Sequence, residues 1–176
     1  MLHPLDFLPN KNRKPIFWAF LVWTLILFAV FRPLGAPLTN SAAPSGIVSF
    51  ELAWTPVNAQ AMIDSWDARG QLYAAFGLGF DFLFMPVYAL ALCLGSLLAA
   101  GRHPGSFAKL GAWIGWGALA APLFDAVENI GLWNSLLGHA QSAWPAVSFW
   151  CACFKFGLII LGIFYGLVGW LWPKKK

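Results

Sequence analysis

The sequence predicts an all-α polytopic membrane protein, with four transmembrane helices and an amphipathic interfacial helix in the first outer loop, and three observations carry that expectation. The 176 residues are 60% hydrophobic and only 10% charged, with a mean hydropathy of +0.68, which leaves too little polar surface to cover a water-soluble domain. The apolar residues gather in four long runs separated by segments rich in Pro, Gly and charge, the pattern of repeated crossing. Aromatic residues reach 17%, with 11 Trp, which suits two lipid–water interfaces and a crowded helical interior. The net charge of +4 does not imply a nucleic-acid partner, because the basic residues sit near the ends of apolar runs and not in a patch.

The first run, residues 16–31, follows Lys11, Arg13 and Lys14 and closes at Arg32 and Pro33. About 16 apolar residues is short for a span, and a basic lead with a short apolar run also suits a cleaved signal peptide. No small-x-small cleavage site follows, so a retained span is expected. Residues 32–71 turn to Pro, Ser, Asn, Asp and Gln and form the outer loop. Within it Thr55 can cap a helix that begins at Pro56, with Ala59, Met62, Ile63 and Trp66 on one apolar face. Asn58, Gln60, Asp64 and Asp67 point elsewhere and Gly70 can end it, giving an interfacial helix over 56–67 that lies on the bundle. Residues 47–54 mix apolar and polar positions and read as extended.

The second, third and fourth spans cover about 72–100, 107–132 and 146–172, joined by turns at 101–105 and 138–145, and the chain reads as a single membrane domain, 1–176. Gly111/Gly115 and Gly162/Gly166 have the spacing of close helix approach. Cys93, Cys151 and Cys153 fall in or beside spans without zinc or disulfide spacing and read as small apolar fillers. Lys11, Arg13, Lys14, Arg102, Lys109, Lys174, Lys175 and Lys176 share one side, against Arg32 and Arg69 on the other. Both termini are therefore expected in the cytoplasm.

Five polar residues interrupt the spans: Asp81 in the second, Asp125, Glu128 and Asn129 in the third, and Lys155 in the fourth. A charge at the centre of a span costs roughly 2.5–3.5 kcal/mol on insertion scales. Asp125, Glu128 and Asn129 stand at i, i+3, i+4 and share one helix face. Asp81 and Lys155 each lie about nine residues, roughly 14 Å, below the outer ends of their spans, and Asp125 lies a similar distance below Leu132, so the charges share one level. Read structurally, Lys155 pairs with Asp125 or Asp81, and the network only fixes which helices are neighbours. Read functionally, three carboxyls against one Lys mark a pocket: a carboxyl in apolar surroundings can hold its proton as a general acid, and an ionised neighbour can act as base or counter-ion.

In that pocket Asp81, Asp125 and Glu128 are the candidate catalytic groups, and Asn129, Lys155, Tyr88 and Arg69 the candidate ligand-binding groups. Pro86 and Pro122 would kink their helices and open room beside Asp81 and Asp125. His103 and His139 stand alone in turns and form no metal site. With no phosphate loop, serine–histidine pair or dinucleotide fingerprint, no cofactor is expected. The function expected is to bind or modify a membrane lipid or amphiphilic small molecule. The alternative is a structural or accessory membrane subunit, with a homo-oligomer or a membrane partner protein as its context.

Phe50-Glu51-Leu52-Ala53, Asp81-Phe82-Leu83-Phe84 with Pro86 and Tyr88, Asp125-Ala126-Val127-Glu128-Asn129 and Phe154-Lys155-Phe156 resemble a group of small, uncharacterised four-span bacterial membrane proteins. The resemblance covers roughly residues 47–169 and implies a bacterial inner membrane and polar positions that act as one unit. Asp81, Pro86 and Tyr88 also resemble the second span of the sterol-isomerase and sigma-2 receptor (EXPERA) superfamily, which implies a small bundle with a membrane-buried acidic site for sterols or cationic amphiphiles. The histidine and glutamate set of the isomerases is missing, so the likeness concerns architecture and not isomerisation.

Overall fold

The computed structural model describes residues 2–173. Lys174, Lys175 and Lys176, counted above for orientation, lie outside the described residues. The chain is helical, with no strand among those residues: α1 (Asn10–Gly35, followed by a 3-10 turn Ala36–Leu38), α2 (Ile47–Glu51), α3 (Pro56–Ser65), α4 (Ala68–Ala100), α5 (Ser106–Asn134, with a wide π-type turn Ser135–His139) and α6 (Trp144–Leu171). Four helical stretches, Asn10–Leu38, Ala68–Ala100, Ser106–His139 and Trp144–Leu171, are long and apolar enough to cross a membrane. Large apolar side chains such as Phe28, Trp113, Leu123 and Phe164 face outward along them, as a bilayer and not water requires. The protein is thus an all-α polytopic membrane protein.

The helices outrun the apolar runs. α1 begins at Asn10 and includes Lys11, Arg13 and Lys14, because long basic side chains can snorkel to the interface while their backbone stays helical. α3 stops at Ser65, Trp66 is extended, and α4 starts at Ala68, so Gly70 lies in its first turn. Asp67 causes this early restart, since its Oδ1 accepts from the Gly70 N–H at 2.7 Å and caps the new helix. Residues 47–54, expected to be extended, instead hold α2, a correction whose cause is burial. A short helix turns Phe50 and Glu51 inward together, and Gly46 admits it with a φ of 58°, a conformation natural to glycine. α4 and α5 continue through Pro86 and Pro122.

The contacts divide the chain into two compact units, one made of Ile26–Phe84 and Phe124–Phe154, the other of Met1–Leu25, Met85–Leu123 and Lys155–Lys176. The first, here the loop-bearing unit, has a core in which Leu38, Phe50, Ala59, Ile63, Trp66 and Leu132 are buried together, with Met62 packed against them. The amphipathic face read from the sequence is therefore the buried face of α3. Trp66 secures it: its ring packs edge-on to Phe50 at 5.4 Å, and its Nε1–H donates to the Leu38 carbonyl at 2.9 Å, satisfying the indole's one donor. Thr55 caps α3 by accepting from the Asn58 N–H. Just before it the Thr55 N–H reaches the Ala53 carbonyl at 2.6 Å around Trp54, whose φ is 61°, a strained γ-turn. That turn sets the Trp54 ring 4.4 Å from Phe149, so aromatic packing offsets local strain. Phe31 packs between Phe80 at 5.2 Å and Phe84 at 5.4 Å, joining α1 to α4.

In the second, or terminal, unit the helices meet at small residues. A Cβ on Gly111 would collide with the Tyr165 hydroxyl and Ala100, and one on Gly169 would meet Ala99 closely. Of the second expected pair, Gly162 makes ordinary contact with Leu92, and nothing lies within 4 Å of the Cβ position at Gly166. Tyr165 donates its hydroxyl hydrogen to the Phe107 carbonyl at 2.8 Å. Residues before α1 fold back against the same unit. The His3 imidazole lies where Gly115 has no side chain and bonds Ser96 Oγ at 3.0 Å. Because the Leu5 N–H donates to His3 Nδ1, the hydrogen sits on Nε2 and donates to Ser96, whose hydroxyl donates to the Cys93 carbonyl at 2.8 Å. Burial, the largest influence, pushes this imidazole down to about 4, with Asp6 opposing and Arg13 assisting. Protonation would also place a hydrogen where Leu5 already donates.

Candidate functional site

α5 supplies three neighbouring polar side chains from one face. Asp125, Glu128 and Asn129 are 2%, 0% and 2% exposed, the result that i, i+3, i+4 spacing gives when that face packs inward. Asn129 Nδ2 donates to Asp81 Oδ2 at 2.8 Å and approaches the Leu78 carbonyl at 3.3 Å. One amide therefore ties α5 to a carboxylate and a backbone carbonyl one turn apart on α4. Asp81 itself is half-buried, so the pair leads from a partly open carboxylate to the sealed acids of α5.

α6 closes on the same stretch of α5. Ser148, fully buried, donates to the Glu128 carbonyl at 3.1 Å. Gly131 permits this approach, since a Cβ there would strike the Ser148 hydroxyl and the Trp144 ring. Phe124 and Phe154 stack at 5.3 Å beside it. Buried charges in this chain are therefore used to pair helices, and no group of three His, Cys, Asp or Glu residues among those described is arranged to hold a metal ion.

Of the residues singled out from sequence, Asp81 and Asn129 are in direct contact, and Asp125 and Glu128 share the buried face of α5 with Asn129. Lys155 and Tyr88 belong to the terminal unit, 5% and 4% exposed respectively; the Lys155 ammonium lies 4.6 Å from the centre of the Phe156 ring. Arg69 stands exposed at the start of α4, its guanidinium reaching the Tyr73 hydroxyl at 3.5 Å. Sequence reasoning missed Glu51 as a site candidate, although it is 8% exposed on α2. The available signal was Ile47, Phe50 and Glu51 at i, i+3, i+4, which in a helix carries the acid inward with two apolar neighbours. Ser148 was missed as well, because a lone serine in an apolar run gives no sign of its partner. No protein-family model, curated protein or solved structure matches this chain.

Proposed function

We propose that the loop-bearing unit binds, within the membrane, the polar head of a lipid-like or amphiphilic small molecule. Asp81, Asp125 and Glu128 serve as counter-ions or acid–base groups, and Asn129 orients them. The observation that supports this reading is the Asn129–Asp81 bond, made by a buried amide to a carboxylate that keeps partial exposure. A charge at the centre of a span costs roughly 2.5–3.5 kcal/mol on insertion scales, and intramembrane acids commonly mark sites. Glu51, Asp125 and Glu128 are all buried in the loop-bearing unit, and acids at such depth suit a cationic or proton-donating guest. In the orientation we favour, both termini face the cytoplasm of a bacterial inner membrane, as Lys11, Arg13, Lys14, Arg102 and Lys109 at one set of helix ends suggest.

The test is mass spectrometry of amphiphiles that co-purify with the native protein and with Asp125→Asn and Glu128→Gln variants matched for thermal stability. The reading expects one enriched amphiphile, reduced at least tenfold in both variants. Equal retention in all three proteins, or variants that lose only stability, would instead favour a helix-pairing role.

A further inference from the structure

A second polar feature lies apart from the acidic cluster, at the mouth of the loop-bearing unit. Pro37, Asn40, Ser65, Trp66, Asp67 and Arg69 line an open cleft of about 560 Å³, a volume in the range of small-molecule sites. Its position along the chain sets its level. Pro37 and Asn40 stand where the first span ends at Leu38, and Asp67 and Arg69 where the second begins at Ala68, which is the depth of lipid headgroups.

The walls are held by their own hydrogen bonds. Asn40 Nδ2 donates to Ser65 Oγ at 3.0 Å, its Oδ1 accepts from the Ala42 and Ala43 N–H groups, and Trp66 is tied to Leu38. Two exposed charges of opposite sign stand at the cleft, Asp67 and Arg69, and Arg69 also reaches the Tyr73 hydroxyl at 3.5 Å. Asp67 uses Oδ1 to cap α4, which leaves Oδ2 for a guest, and Arg69 presents a forked set of N–H donors suited to phosphate. Below Arg69, Leu72, Phe76 and Leu83 follow at i+3, i+7 and i+14, one face of α4, with Leu72 71% and Phe76 60% exposed. A polar cleft for a zwitterion thus continues into an apolar stripe for acyl chains.

We infer that this cleft is a headgroup site for a phosphoethanolamine phospholipid, with the phosphate on Arg69, the ammonium on Asp67 and the acyl chains along Leu72, Phe76 and Leu83. A primary ammonium fits better than a quaternary one, because its N–H groups can donate to a carboxylate. The site does not depend on the acidic cluster, and its test is separate.

The protein is transferred from mixed micelles holding equal amounts of phosphatidylethanolamine, phosphatidylglycerol and phosphatidylcholine into native mass spectrometry. Phosphatidylethanolamine adducts are expected to dominate by at least fivefold. Arg69→Gln should cut adducts of all three lipids at least fivefold. Asp67→Asn, which keeps the Oδ1 acceptor for Gly70, should leave phosphatidylglycerol adducts unchanged and abolish the preference for phosphatidylethanolamine. Both residues are exposed, so neither substitution opens a cavity in the core. Identical adducts in native, Arg69→Gln and Asp67→Asn proteins would overturn the inference. So would displacement of the lipid by soluble phosphoethanolamine at equal concentration, which would mark a site for a free phosphate ester.

Discussion

In the loop-bearing unit α4 meets α5 through an amide and a carboxylate, Asn129 on Asp81, and α5 meets α6 through Ser148 on the Glu128 carbonyl. In the terminal unit the corresponding contacts are made at Gly111 and Gly169, with Tyr165 and His3 supplying neutral hydrogen bonds. Both are workable solutions where lipid removes the hydrophobic drive for helices to associate: small residues allow dispersion contacts at short range, and polar residues bond across the interface. The first costs little on insertion, whereas the second places acids where they are expensive. The terminal unit thus packs its helices mainly by the cheaper route, with Lys155 as its buried charge, while the loop-bearing unit carries the buried acids.

The largest expected effect breaks the small-residue side of this comparison. Gly111→Leu drives a side chain into the Tyr165 hydroxyl and Ala100 and should lower stability by about 3 kcal/mol, read as a fall in the thermal midpoint in detergent. Gly166→Ala, placed where nothing lies within 4 Å, should instead hold or raise it by up to about 1 kcal/mol; equal losses at both positions would show that crowding is not what Gly111 relieves. On the polar side, Asn129→Leu removes the donor to Asp81 and should cost about 2 kcal/mol. A variant as stable as the native protein would show that the bond contributes nothing to helix pairing.

A pH dependence separates the two units further. With its proton affinity down at about 4 when docked and near 6.5 when free, His3 takes up a proton more readily in the undocked segment. Docking is therefore fully favourable above about pH 6.5, weakens as pH falls from there to about 4, and changes no further below. Partial exposure limits the total to about 1–2 kcal/mol. Relative to the intrinsic exchange rate at each pH, protection of Leu5 and Asp6 should fall between pH 7 and 5 in the native protein and be low and independent of this transition in His3→Ala. A native profile flat across that window would contradict the tautomer assigned to His3. Smallest of all, Thr55→Ala removes the cap of α3 and should cost about 0.5–1 kcal/mol, visible as faster exchange at Asn58.

The four spans were legible because a long apolar run has few other uses. Their ends were less so: counting stopped at Lys14 and at Leu72, whereas helices continue through charged residues that reach the interface, and a two-residue break after Ser65 rests on an Asp67 side-chain bond that composition does not reveal. The register of the site was nearly legible. Depth counting set Asp81 level with Asp125, and the structure bonds it one turn along, to Asn129, a small displacement given that α4 starts four residues earlier than read. Glu51 was hidden because its i, i+3, i+4 relation to Ile47 and Phe50 covers little more than one turn, too little to mark a helix whose conformation tertiary packing decides. His3 was hidden because its partners, Ser96 and Gly115, lie about a hundred residues away and carry no local mark.

The most direct test of the acidic site is infrared difference spectroscopy of the detergent-solubilised protein as a long-chain alkyl amine is added. Bound amine should perturb carboxyl and carboxylate bands saturably, and the perturbation should shrink in Asp81→Asn and vanish in Asp125→Asn with Glu128→Gln, while the folded helical content is unchanged. An identical response in native and variant proteins, or one no greater than the amine gives in protein-free micelles, would contradict a binding role for these acids.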